Sequence, residues 1–270
     1  MHMTRVNKRY TTLISLMVMV SAVAAQEFWM QPLKFIYSLG EKARINFVNG
    51  ENFIGEPVEL KKTSIEKLEH HRLAGVSDLK PTLVEGKKDH LEVELKEEGT
   101  HVLAMQSIFS LAEMEADKFN IYLKENGLDD AYAAREKAGA LARPGKESQA
   151  KYTKLLLQVG AKKDDGYKMA MGFPIEIVPE QNPYALKLGD NIRFKIMWNK
   201  KPLFGARVKV WNRKEGLTTL QNIYTEQNGT METRISSKGM WMVQVVYMVP
   251  SKDGQTDWRS YCGSLVFGIE

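Results

Sequence analysis

Histidine is the side chain best suited to hold a transition metal or move a proton near neutral pH, and the chain has five: His2, His70, His71, His90 and His101. His70 and His71 are neighbours, so a strand sends them to opposite faces and they cannot grip one ion together. A hairpin over residues 90–106 puts His101 on the face of Leu95, Leu103 and Met105, at the rim of a core. A hydrogen-bonded structural histidine is the commoner occupant of such a place than a ligand. No HxH, HExxH or CxxC spacing occurs, so a closed zinc site built from sequence neighbours is not supported. Met169 with Met171, and Met240 with Met242, each offer two thioethers on one strand face, a geometry that soft Cu(I) can use. Both pairs lie in alternating apolar segments, where methionine is an ordinary core filler. Cys262 is the single cysteine; it excludes an intrachain disulfide and reads as a small buried hydrophobe.

Nucleophilic and phosphate chemistry have no signature. There is no GxSxG elbow, Walker loop or GxGxxG turn, and no serine, histidine and carboxylate spacing that points to a triad. Asp129-Asp130 and Asp164-Asp165 fall in solvated turns, the first pair favouring a helix N-terminus. The five tryptophans are a conceivable carbohydrate platform, but aromatics at alternating strand positions usually pack a core. The residues therefore read as those of a non-enzymatic binding or accessory protein.

The elements that must position these residues are mostly strands. Arg5, Lys8 and Arg9, the apolar run Leu13 to Val20 and the small residues Val23-Ala24-Ala25 have the plan of a cleaved leader over 1–25. The run is too short to cross a bilayer, which predicts an extracytoplasmic, periplasmic protein with no membrane span after cleavage. Loss of that leader lowers the formal charge from +5 to +2, and with it the compositional case for nucleic-acid binding. Residues 26–178 read as an N-terminal β-domain. Its strands lie around Ala43 to Phe47 and Ser64 to Leu73, with the clearest hairpin at His90 to Gln106. Helix formers from Leu111 to Gly160 predict an α-helical insertion of three runs, Ala112 to Glu125 with Gly127 as C-cap, Leu128 to Ala142, and Glu147 to Val159. An insertion of that length either caps an open sheet edge or serves a function of its own. The stretch Met171 to Asp190 reads as a strand ended by Pro179, a stiff connector, and a new strand through Tyr184, Leu186 and Leu188. A ligand cleft is expected beside it. Residues 179–270, with strands at about ten-residue spacing, read as a C-terminal β-sandwich. The fold class is mainly β, two β-sandwich-like domains with an α-helical insertion in the first.

A set of segments in fixed order runs through the chain: EFWMQP at Glu27, GENFIGEP at Gly50, DKFNIYLKENGLDD at Asp117, the EIVPEQNPYALKLGD connector, NKKPLFGARVKVW at Asn199, the turn from Thr225 to Gly229, GMWMVQVVYM at Gly239 and DWRSYCGSLVF at Asp257. In these the chain resembles the periplasmic family called domain of unknown function 4198, over nearly the whole mature length. Its C-terminal half is similar to carboxypeptidase-regulatory or transthyretin-like sandwiches, and both β-sandwich-like domains are expected to be of the immunoglobulin or transthyretin-like kind. The family description, a periplasmic component of cobalt or nickel uptake, implies a divalent transition metal as cofactor or cargo and a metal-uptake transporter or another envelope protein as partner. Family members often begin the mature chain with a histidine ahead of the Phe-Trp pair, where imidazole and α-amine can chelate together; Gln26-Glu27 stand there in this chain, and an N-terminal Gln26 can cyclise. That leaves Glu27, His71 and His101 as candidate metal ligands. The alternative is a structural or interaction module that presents the helical insertion to an envelope partner.

Overall fold

A computed structural model describes residues 27–87 and 91–270 of the chain. The expected leader over 1–25, Gln26 and His90 lie outside the described residues. The first strands are β1 (Glu27–Pro32), β2 (Ile36–Tyr37), β3 (Lys42–Glu51), β4 (Ile54–Pro57), β5 (Ile65–Arg72) and β6 (Gly75–Asp78). Then come β7 (Leu91–Glu94), β8 (Gly99–Ser107), β9 (Ser110–Met114), helices α1 (Ala116–Glu125) and α2 (Asp129–Lys137), and β10 (Gly145–Val159). The last third holds β11 (Ile175–Pro179), β12 (Asn191–Trp198), β13 (Lys201–Pro202) and β14 (Arg207–Lys214). It ends with β15 (Leu217–Tyr224), β16 (Thr230–Arg234), β17 (Gly239–Pro250) and β18 (Trp258–Ile269). The protein is mainly β, and α1 and α2 form the helical insertion.

The organising layer is a ten-stranded sheet in the order β15-β14-β17-β18-β10-β8-β5-β6, with β2 and β9 also paired to β10. It takes strands from both sides of residue 178. The join is the parallel pairing of β10 with β18, from Glu147 opposite Trp258 to Leu155 opposite Val266. A four-stranded sheet of β1, β3, β4 and β7 covers one face, and a second of β11, β12, β13 and β16 covers the other. Leu103, Leu155, Leu157, Met242 and Val266 point into the first core beside Trp29 and Phe47. Their neighbours Val102, Leu156, Val243 and Leu265 point into the second beside Ile177 and Phe194. A strand buried on both faces loses its polar alternation. Leu155, Leu156 and Leu157 are each no more than 1% exposed, worth roughly 2 kcal/mol apiece in apolar burial. Between the layers, Lys154 of β10 meets Glu176 of β11 at 3.2 Å, both side chains 3% exposed.

Double-sided burial explains the largest difference from the sequence reading. Glu147 to Val159, expected as a third helix, lies in the long central strand β10; Tyr152, Leu155, Leu156 and Val159 are spaced as on a helical face, but the strand sends them to its two sides, both buried from Tyr152 to Val159. The insertion is correspondingly shorter than 111–160, its helices spanning 116–137. The expected hairpin at 90–106 also divides. Leu91 to Glu94 pairs with β3 in the small sheet, while β8 pairs with β10 and β5 in the large one. The chain changes sheets at Gly99, φ +124°. Tyr184 to Leu188, expected to start a strand, opens instead as a 3-10 turn at Pro183–Ala185, capped by the Asn182 side chain on the Tyr184 N–H.

The end of α1 follows its sequence. Gly127 adopts φ +64°, its N–H bonds the carbonyl of Lys124 and the Leu128 N–H bonds that of Leu123, the paired bonds of a Schellman stop. The absent Cβ also lets β14 come close: a methyl at Gly127 would stand 2.7 Å from Arg207 Cβ, and Arg207 in turn donates to the Lys124 carbonyl at 2.6 Å. Phe119, Tyr122 and Leu123 face Val246 and Trp258 of the large sheet. Gly145 leaves room for the Phe119 ring where any side chain would collide with it.

Candidate functional site

The helices and the β1 sheet cover the same face of the ten-stranded sheet, and between the two covers runs a seam. Along β10 the residues on that face change from Leu155 and Leu157, under the small sheet, to Thr153, Lys151, Gln149 and Glu147 toward the helices. Along β17 they change from Met240 and Met242 to Gln244, then to Val246 and Met248 under the helices. Register aligns the polar positions across four strands. Lys209 lies opposite Gln244, Gln244 opposite Ser264 and Ser264 opposite Thr153. The row below holds Val246, Cys262 and Lys151. Over this strip lies a cleft of about 400 Å³, roofed by Lys118, Ile121 and Tyr122 of α1 and closed at one side by Glu27 and Asn52. A smaller cavity of about 230 Å³ adjoins it, with Phe28 and Lys151 lining both.

The charges in this cleft are differently compensated. Glu27 accepts the Phe53 N–H at 2.7 Å; burial raises its pKa, while that hydrogen bond and Lys209 pull it back. Burial likewise lowers the Lys209 pKa against the attraction of Glu27 and Glu125. Lys151 has no such partner. Its Nζ donates to Asn49 Oδ1 at 3.3 Å and stands 4.7 Å from the centre of the Phe28 ring, and burial lowers its pKa with no carboxylate opposing. Gln244 is 8% exposed, and its amide oxygen is buried without a hydrogen-bond partner. Tyr122 Oη is buried beside Ser260 and Gln149 without hydrogen-bond geometry to either.

Beneath the helices Glu147 is fully buried. It accepts from Gln149 Nε2 at 3.1 Å and from the Ser260 hydroxyl, and burial pushes its pKa up to about 7. Ser260 is 0% exposed, so the pair has no route to a substrate. The Cys262 thiol is pushed up to about 12 by burial and then by Glu147, and at neutral pH it is protonated and unreactive.

The residues nominated as metal ligands are not brought together. His101 turns into the first core, where its Nδ1 lies 2.8 Å from His70 Nε2 and its Nε2 lies 3.0 Å from the Glu97 carbonyl. The carbonyl can only accept, so His101 carries its proton on Nε2 and His70 donates to His101 Nδ1. Both rings are thereby neutral, and burial lowers both pKa values, that of His70 to about 3. His71 projects from the opposite face of β5, with Nε2 2.9 Å from Glu69 Oε2. Glu27 lies in the cleft. Among the described residues no three His, Cys, Asp or Glu side chains form a metal-holding group, so this donor set does not fit a bare divalent transition ion. Nor does the cleft lie beside the Met171 to Asp190 connector, which runs on the other face of the sheet and sends Glu176 to Lys154.

A helix over Glu147 to Val159 scatters Gln149 and Lys151 around a cylinder instead of aligning them, so of the nominated ligands only Glu27 lines the cleft. One signal was available: Gln244 is the only polar residue between Met240 and Met248. Among the described residues no helix is long and apolar enough to cross a membrane.

The profile of the family described as Domain of unknown function (DUF4198) matches residues 23–249. Comparison with curated proteins gives no match. Among solved structures the chain is similar to a tetra-tandem repeat from the extending region of a large adhesion protein, at 8% identity and TM-score 0.21, over 89% of this chain and 49% of that one. It is also similar to Escherichia coli alpha-2-macroglobulin activated by porcine elastase, at 11% identity and TM-score 0.23, over 89% of this chain and 20% of that one. The chain thus spans about half the length of the first and a fifth of the second.

Proposed function

The chain belongs to the DUF4198 family, and from that premise we propose that it is a non-catalytic binding protein acting outside the cytoplasm, which holds a small polar ligand in the cleft under α1. The supporting observation is the polar row Lys209, Gln244, Ser264 and Thr153 on a sheet face that is otherwise apolar on one side of the seam and helix-covered on the other. In that row Ser264 donates to Phe28 or Thr153 and Lys209 has Glu27 nearby, which leaves the Gln244 amide oxygen buried without a partner; that costs free energy, and a ligand that supplies a donor recovers it. The leader-like N-terminus supports the location. The two buried histidines are committed to each other, which favours binding over proton-transfer chemistry.

Cobalt or nickel uptake is the finer role that the family description carries. The separation of Glu27, His71 and His101 favours a ligand other than the bare ion. The helices spend their apolar side inward, on Val246 and Trp258, which supports a roof over the cleft more than a surface offered to an envelope partner.

Native mass spectrometry of the secreted protein tests the reading. Wild type and Ile121→Trp are titrated with amino acids, hydroxy acids and sugars, and separately with Ni(II) or Co(II) alone. Ile121 lines the cleft but is 55% exposed, so a larger ring there blocks the space without disturbing the core. A one-to-one organic adduct that Ile121→Trp abolishes is expected. Stoichiometric metal uptake that ignores Ile121→Trp and is lost in His71→Ala and Glu27→Gln would refute the cleft and restore metal capture.

A further inference from the structure

Building on the cleft as the binding site, we infer that its occupant is a small organic carboxylate bearing a hydroxyl or amino group, its carboxylate held by Lys151 and its donor by Gln244. The ammonium of Lys151 has three N–H donors. Asn49 Oδ1 takes one and the Phe28 ring face another, and no described residue takes the third. Two other lysines on the same sheet, the buried Lys154 and the half-buried Lys209, show the contrast with the half-buried Lys151. Lys154 has Glu176 at 3.2 Å, and Lys209 has the charges of Glu27 and Glu125 nearby. Lys151 has no described carboxylate in ion-pair contact, yet it projects into the space where the two cavities meet. A cation left in that position has its strongest available partner in an anion from outside.

The second contact fixes the rest of the molecule. The Gln244 amide oxygen is an acceptor without a donor, and its neighbour Ser264 already donates to the Phe28 carbonyl or Thr153. The missing donor therefore comes from the ligand, as an N–H or O–H group. Tyr122, only 6% exposed and with its hydroxyl beside Ser260 and Gln149, closes over the same space from α1. Glu27, Glu51 and Glu125 line the remainder of the cleft and disfavour a compact dianion such as phosphate, while they suit a ligand whose far end is a donor or a cation. A volume of about 400 Å³ is at the small end of ordinary ligand sites.

Isothermal calorimetry at pH 7 on the secreted protein tests this with L-malate, L-lactate and L-serine, and with acetate and inorganic phosphate as comparisons. Saturable binding of at least one donor-bearing carboxylate is expected, stronger than acetate. Lys151→Met should weaken it by about tenfold or more, and Lys151→Arg should stay within a few-fold of wild type. Gln244→Leu should weaken the donor-bearing ligand toward the level of acetate. Folding of Lys151→Met is checked by thermal unfolding, which is expected near or above the wild-type temperature because a half-buried cation without a carboxylate partner has been removed. No binding of the three carboxylates at roughly 10 mM, unchanged binding in Lys151→Met, or phosphate bound as tightly as any of them overturns the inference. A neutral sugar that Ile121→Trp excludes and Lys151→Met does not affect would overturn it while leaving the cleft as the binding site. A ligand indifferent to Ile121→Trp defeats both.

Discussion

Lowering the pH should remove stability through one group in particular, the neutral imidazole of His70. In the unfolded chain it titrates near 6.5, and in the fold burial first, then the adjacent positive charge a protonated His101 would carry, hold it near 3. A depressed folded pKa means that the contribution is fully present above 6.5 and is lost progressively as the pH falls toward 3, because only the unfolded state takes up the proton. Each unit below 6.5 costs about 1.4 kcal/mol, so pH 4.5 removes about 2.7 kcal/mol. His101, also depressed, adds in the same direction. Glu147 acts with the opposite sign. Its folded pKa is raised to about 7 from 4.5, so acidification from 7 to 4.5 returns about 3 kcal/mol. The two nearly cancel, and the pH profile of the wild type alone is uninformative.

The comparison with His70→Gln separates them. The glutamine amide can still donate to His101 Nδ1 but does not titrate. Urea unfolding followed by tryptophan fluorescence, at pH 7.5, 6.5, 5.5 and 4.5, should show the wild type ahead at pH 7.5 by about 1–2 kcal/mol of packing. That lead should fall by about 2.7 kcal/mol by pH 4.5. A lead constant to within about 0.5 kcal/mol across the range would refute a neutral, buried His70.

Lys154→Met leaves Glu176 buried with its charge unpaired, although the Met171 and Gly172 N–H groups still donate to it; a loss of about 3 kcal/mol in urea unfolding is expected, and Lys154→Met with Glu176→Gln should recover part of it. Gly127→Ala forces a side chain into φ +64° and against Arg207 Cβ; a loss of about 1–3 kcal/mol is expected, seen as a thermal midpoint roughly 3–9 °C lower.

What the sequence made legible was local. The stop at Gly127, the opposite directions of His70 and His71, the core placement of Met240 and Met242, and the strand-rich C-terminal third all follow from neighbours within a few positions. What it did not make legible was partner choice between strands. Leu91 to Glu94 and Gly99 to Ser107 alternate as a hairpin would, but nothing in their order says that one pairs with β3 and the other with β10. β10 itself carries no alternation over Lys154 to Val159, because the two cores claim both of its faces. The candidate site was hidden by the same misreading. Lys151 and Gln244 are about ninety residues apart and reach one face, two strands and one row from each other, only through the register of β10 on β18 and of β18 on β17.

That register also explains why the cleft is where it is. The large sheet offers one continuous face to two covers of different kinds, a small sheet with its own strand direction and a pair of helices seated by Gly145 and Gly127. Covers so unlike cannot interdigitate at their boundary to interior packing density, and the strip between them stays open. Apolar side chains along that strip would draw the covers together or leave an exposed greasy groove. The chain places Lys151, Gln244 and Lys209 there instead, and accepts a cation without a carboxylate on β10 where Lys154, three residues on, is given Glu176. A core built for stability alone would carry methionine or leucine at position 151; a lysine there, without a carboxylate partner, marks the strip as a surface to be satisfied from outside.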